Sequence, residues 1–265
     1  MTQRSVANTD GVQSFCLFVG WARSGSTLIG ALLDAHENIV IANELDVLGQ
    51  IESGEMDREL LFERIMKKSS RSAGRGENKG GYQYDVTGAS QGTCEEVLVI
   101  GDKKAGMTNK RISENPMLLE KLRRVVEVPL KVIIVLRNPF DILTTQSMRR
   151  GRRIGCSPYI VLPKQISVFE ALAENISNLM EQLEPNEKML IKHEEIIEDP
   201  RGCLRELCDY LKVPASDEYI GQCAEIVYSS PHKSRNKIQW DNATRMVVQD
   251  IIGRHAFLAG YDFDN

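Results

Sequence analysis

Residues 15–20, Phe-Cys-Leu-Phe-Val-Gly, are five apolar residues closed by a glycine. So short and continuous an apolar run fits a strand buried on both faces, as in a parallel sheet. The loop that follows, Trp-Ala-Arg-Ser-Gly-Ser, is short and rich in small residues. Leu28, Ile29, Leu32 and Leu33 then recur at helical spacing. A strand without a polar face needs a layer of structure on each side, so this opening confines the chain to an α/β architecture.

The rest of the chain repeats the alternation. Residues 39–41 read as a second strand, and 57–68, with Leu60, Leu61, Ile65 and Met66, as an amphipathic helix. From 69 to 92 the composition turns to Gly, Ser, Arg, Lys and Gln, which predicts a long mobile loop. Strands are predicted over 96–101, 131–137 and 188–192; 131–137 is the strongest, since Val132 to Leu136 are all apolar and mostly β-branched. Helices are predicted over 116–126, 141–149, 165–183, 201–212, 216–227 and 242–258, with a polar, basic stretch over 228–240. The pattern predicts a doubly wound, mostly parallel sheet flanked by helices. It is read as one domain over 1–265, with a flexible N-terminus over 1–13.

Length and composition agree with one core: 265 residues, 42% of them hydrophobic. The net charge of −4 argues against a uniformly basic nucleic-acid binder, but it leaves room for a local basic cleft. No window approaches the roughly 18 apolar residues of a membrane span. The first residues hold no leader-like apolar stretch, so a cytoplasmic location and no membrane partner are expected. The six cysteines form no C-x-x-C pair and are expected to be reduced thiols. His193, His232 and His255 lack metal-ligand spacing, and no metal is expected.

Two motifs carry chemistry. Gly20 to Thr27 keeps every fixed position of the phosphate loop G-x-x-x-x-G-K-[ST] except one, because Ser26 stands in the lysine slot. Backbone N–H groups at the start of the helix, together with Arg23, Ser24, Gly25, Ser26 and Thr27, suit a phosphate-like anion. Loss of the lysine makes a poor fit for an ATP or GTP hydrolase. A Gly/Ser turn with capping hydroxyls is the plainer alternative. The second motif is Arg137, at the carboxyl end of the strongest strand, with Thr145 eight residues later. Ligands of open α/β sheets bind beyond such strand ends, and one cation with one hydroxyl would clamp a second phosphate. Ser147 competes with Thr145 for that role.

Together the motifs resemble the 5′-phosphosulfate loop and 3′-phosphate motif of the sulfotransferase family. That family usually has serine where Thr145 keeps the hydroxyl and adds a methyl. The first half most resembles the tyrosylprotein sulfotransferases and their bacterial and carbohydrate-modifying relatives: Arg23 to Leu28, then Leu33-Asp34-Ala35-His36, then Glu44, match the tyrosylprotein branch in order and spacing. The resemblance implies a sulfotransferase fold related to the P-loop NTPases. It also implies 3′-phosphoadenosine 5′-phosphosulfate (PAPS) as donor, used without a metal. It makes Glu44 the base for the acceptor and Lys103 the cation that stabilises the transferring group, with Lys104 as the neighbouring alternative. It puts His193, where the family often has tyrosine, beside the adenine. Ser234-Arg235-Asn236-Lys237, with Trp240, resembles a C-terminal basic loop that closes over the nucleotide. The resemblance runs in patches from about residue 15 to 260 and is weakest over 50–95.

The acceptor implied is a small molecule, because the tyrosylprotein branch works behind a membrane anchor in a secretory compartment. A peptide tyrosine or a carbohydrate is the alternative. Two other functions would use part of the same residues. A small-metabolite kinase would need ATP and Mg²⁺, and a non-catalytic anion-binding module would keep Arg23 and Arg137 without needing Glu44 or Lys103.

Overall fold

A computed structural model describes residues 9–73, 86, 94 and 96–265. Five strands, β1 (Ser14–Gly20), β2 (Ile39–Asn43), β3 (Val99–Lys103), β4 (Leu130–Leu136) and β5 (Lys188–Lys192), pair in the order β2-β3-β1-β4-β5. Every pairing is parallel. The helices are α1 (Ser26–Asp34), α2 (Val47–Ser53), α3 (Arg58–Ala73), α4 (Ala105–Glu114), α5 (Met117–Val126), α6 (Pro139–Ile154), α7 (Pro158–Gln182), α8 (His193–Glu198), α9 (Pro200–Leu211), α10 (Asp217–Glu225) and α11 (Asn242–Arg254).

Strand periodicity sorts the buried side chains into two cores. Phe15, Leu17 and Val19 of β1 join Val132, Ile134 and Leu136 of β4 against α2 to α7 and α11. Cys16 and Phe18 join Ile133 and Val135 on the other face, against α1, α8, α9 and α10. Alternate residues point to opposite faces, so a continuous apolar strand is what a doubly wound sheet requires. The helix after β1 packs on one face and the helix after β4 on the other. These strands are neighbours, so the crevice between their carboxyl ends is the topological switch point where ligands of such sheets bind.

Several boundaries differ from the sequence reading. Strand β3 begins three residues later than the expected 96–101 and ends two later, because Asp102 and Lys103 look like loop residues yet both are buried at its end. The short helices α2, α4 and α8 are not anticipated. Helix α7 begins at Pro158, capped by Ser157, and runs through Pro163. Helix α3 continues to Ala73, so residues 69–73 of the expected loop are helical; of 74–92 only Val86 lies within the described residues. Residues 9–13 form a turn that buries Val12 and hydrogen-bonds Gln13 N to Leu98 O (2.8 Å). All six cysteines are free thiols, four of them buried.

Ser69 explains why α3 persists. Its hydroxyl donates to the buried Asp34 carboxylate at the end of α1 (2.8 Å), which also accepts Ile41 N of β2 (2.7 Å). Three elements thus meet at one carboxyl. Burial pushes its pKa up to about 7, against the two hydrogen bonds, which lower it. A carboxyl raised in the folded state contributes stability at low pH that is lost as pH rises through about 7. Asp34→Asn keeps an acceptor and removes the titration. Thermal melts should show wild type losing stability relative to this variant between pH 5 and pH 8; parallel curves would refute that reading.

Candidate active site

The loop between β1 and α1 is fixed from four sides. Trp21 is buried, stacks on Phe169 of α7 (centroids 4.6 Å apart) and donates its indole N–H to Phe169 O (3.2 Å). Asn109 of α4 donates to Gly20 O (3.0 Å), Gln146 of α6 to Ala22 O (2.8 Å), and Arg137 to Arg23 O (3.1 Å). Three loop carbonyls are therefore held by side-chain donors instead of facing the cleft. Gly25 has φ +96 and caps α1 without a side chain, leaving the first-turn amides open to an anion. Arg23 has φ 77, a conformation costly for a residue with Cβ.

Beyond this loop lies a cavity of about 260 Å³. Arg23, Gly25, Ser26, Thr27, Arg137, Thr145, His193, Ser234 and Lys237 line it, so the structure brings nine of the expected residues to one cleft. Ser147 points inward and is fully buried, whereas Thr145 faces the cleft. The His193 ring lies against Gly25, where an added Cβ would meet its Nδ1 at 2.2 Å. Burial first, then Arg137 and His232, push the His193 pKa down to about 3, so the ring is neutral at physiological pH.

Two of the residues expected to bind the nucleotide are not at the cleft surface. Ser24 is fully buried beneath the loop. Arg235 is buried and turned inward: its guanidinium pairs with Asp141 (3.1 Å) and donates to the carbonyls of Asp262 (3.2 Å) and Phe263 (3.1 Å). Its backbone N–H donates to Asp141 as well (2.7 Å). The assignment of Arg235 to the nucleotide is corrected accordingly: it anchors the Ser234–Lys237 turn to α6, and Ser234 and Lys237 face the cleft. Trp240 reinforces the anchor through Thr144 (3.2 Å) and an edge contact with Phe140. The sequence reading missed Met148, Arg149, Arg152, Tyr228 and His232, which also line the cleft. A signal was present: Thr145, Met148, Arg149 and Arg152 are spaced i, i+3, i+4, i+7, one face of a helix.

Glu44 and Lys103 meet just behind Thr27. Lys103 is buried, and its Nζ donates to Thr27 Oγ1 (3.0 Å) and to Glu44 Oε1 (3.2 Å). The Glu44 side chain remains 46% exposed, so its carboxylate stays open to an incoming group. Lys104 instead occupies the N-cap of α4, without a capping side-chain bond. Glu44 has φ 60 and Asp46 φ 69. What holds this left-handed pair is Asp102, whose buried carboxylate accepts the amides of Leu45 (2.9 Å), Asp46 (2.9 Å) and Val47 (3.0 Å). Arg111 adds a two-pronged bond to Asp46 (2.9 and 2.8 Å). Burial pushes the Asp102 pKa up to about 6, opposed by the three amides and Lys103.

A family model described as "Sulfotransferase family" matches residues 17–217. The chain belongs to the sulfotransferase family. The match takes in the phosphate loop, Glu44, Lys103 and Arg137, and it ends before the Ser234–Lys237 turn. Among solved structures, the chain is similar to the sulfotransferase domain of the curacin biosynthetic pathway: 18% identity, 92% of this chain and 97% of that one, TM-score 0.56. It is also similar to the sulfotransferase domain of the Synechococcus PCC 7002 olefin synthase, at 17% identity, 94% and 97% coverage and TM-score 0.56. Mouse sulfotransferase SULT7A1, complexed with PAP, matches at 10% identity, 95% and 86% coverage and TM-score 0.55. The superpositions, at identities this low, show a shared fold. No curated protein sequence matches this one. Among the described residues, no helix is long and apolar enough to cross a membrane, and no three His, Cys, Asp or Glu residues group as metal ligands.

The Asp102 carboxylate makes a clear prediction. Asp102→Ala leaves three amides without their acceptor and should cost about 3 kcal/mol in guanidinium unfolding. A change below about 1 kcal/mol would mean that the Leu45–Val47 loop holds itself.

Proposed function

We propose that this sulfotransferase moves a sulfuryl group from PAPS to a hydroxyl or amine of a small-molecule acceptor. The observation that carries the proposal is the position of Lys103 Nζ, bonded at once to Thr27 of the phosphate loop and to Glu44. One cation thereby joins the loop suited to the donor's phosphosulfate to the carboxylate suited to the acceptor. A plain anion-binding module has no use for that junction. A kinase reading loses support at Ser26, a mostly buried hydroxyl in the slot where ATP chemistry places a lysine.

In this reading the α1 amides, Arg23, Ser26 and Thr27 hold the 5′-phosphosulfate. Arg137 and Thr145 hold the 3′-phosphate, and the neutral His193 ring lies beside the adenine, with Ser234 and Lys237 closing the cleft. The acceptor oxygen or nitrogen attacks sulfur and forms a new bond to it. The bond from sulfur to the 5′-phosphate oxygen breaks, and adenosine 3′,5′-bisphosphate leaves with that electron pair. The acceptor proton passes to Glu44. Transfer spreads negative charge over the sulfuryl oxygens and the leaving phosphate, and Lys103 stands where a fixed cation lowers the barrier. The PAP bound to the mouse neighbour supports the same donor here. The small-molecule acceptor rests on the sequence reading.

Calorimetric titration of the full chain without metal tests the donor site. The bisphosphate should bind well above ATP, and Arg137→Ala should weaken it about 100-fold. Binding of ATP alone, strengthened by Mg²⁺, would overturn the proposal in favour of a kinase. Glu44→Gln should bind the bisphosphate as wild type does. Its kcat for PAPS with a panel of small phenols, alcohols and amines should fall about 10³-fold. Unchanged turnover would remove Glu44 from the base role.

A further inference from the structure

Arg235, expected in the loop that closes over the nucleotide, and Arg137, expected at the 3′-phosphate, are both engaged within the fold. Arg235 is locked to Asp141 and two carbonyls inside the fold. Arg137 spends two of its nitrogens on the carbonyls of Arg23 (3.1 Å) and His232 (2.8 Å). A phosphate monoester carries between about −1.5 and −2 charge at neutral pH, more than the single positive charge of Arg137 balances beside the neutral Thr145 hydroxyl.

Helix α6 supplies what is missing. Arg149 and Arg152 line the same cleft as Thr145, one and two turns further along its face. They lie about 6 and 10 Å from Thr145 along the helix axis. The Cα–Cβ bonds of a helix tilt toward its N-terminus, so both side chains leave the helix in the direction of Thr145. Neither forms a hydrogen bond or ion pair among the described residues. Two like charges spaced i, i+3 on a helix repel, and a bound dianion relieves that repulsion.

The geometry points to Arg149 and Arg152 as the residues that make the cleft specific for a 3′-phosphorylated nucleotide, in place of the inward-turned Arg235. This rests on the donor reading above. It predicts that the pair discriminates adenosine 3′,5′-bisphosphate from 5′-AMP, which lacks only the 3′-phosphate.

Both nucleotides are titrated calorimetrically into wild type and into Arg149→Gln/Arg152→Gln. Arg150→Gln/Lys121→Gln, two exposed cations that do not line the cleft, removes equal charge as a control. Exposed charge pairs are worth up to about fivefold each in affinity. The cleft variant should therefore bind the bisphosphate about 20-fold more weakly and 5′-AMP within about twofold, with the control like wild type. Unchanged bisphosphate affinity would overturn the assignment and leave the two arginines as solvated charge at a helix end. Equal weakening of both nucleotides, or equal weakening in the control, would overturn it too, in favour of a diffuse electrostatic effect. If wild type binds no bisphosphate, the donor reading itself fails; if wild type binds it and only the arginine variants behave like wild type, the failure is confined to this pair.

Discussion

An anion-binding loop works only if its own carbonyls are turned away from the anion. Here that depends on Asn109, Gln146 and Arg137, one donor from each of α4, α6 and the end of β4, fixing the carbonyls of Gly20, Ala22 and Arg23. Trp21 keys the loop into the core by stacking on Phe169. The left-handed conformation of Arg23 is imposed by this surrounding frame, since the residue itself disfavours it. The remaining cleft residues are arranged around a loop whose shape neighbouring helices set.

The same logic governs the other half of the site. Glu44 and Asp46 are non-glycine residues in left-handed backbone, and strain of that kind persists only where the surroundings over-determine it. Asp102 accepts three hydrogen bonds from the amides of Leu45, Asp46 and Val47, and Arg111 grips Asp46 from outside. In β3, Asp102 and Lys103 divide the labour: the first fixes the loop, the second bridges it to Thr27.

Much of this was legible in the sequence. The apolar runs 15–20 and 131–137 announced central strands, and their alternate residues do serve two cores. The phosphate-loop pattern and Arg137 gave the crevice, because strand ends at a switch point converge whatever the loops do. Less legible was anything set by burial of polar groups. Asp102 and Lys103 read as loop residues because their satisfaction comes from partners over 50 positions away. Arg235 read as a ligand contact because nothing local reveals that Asp141 lies beneath it. Arg149 and Arg152 were overlooked for the opposite reason: a basic helix end is usually solvated surface, and only the position of Thr145 on the same face marks it otherwise.

The ion pair of Arg235 and Asp141 also constrains how this sequence can drift. Both side chains are only 3% exposed, and removing one partner of a buried pair leaves an uncompensated charge worth about 3–5 kcal/mol. Neither position tolerates single replacement by an apolar residue, yet a matched apolar pair would keep the turn in place. Relatives that carry this anchor should therefore show positions 141 and 235 changing together, and an arginine at 235 without an acid at 141 would mark a turn free to point its cation into the cleft.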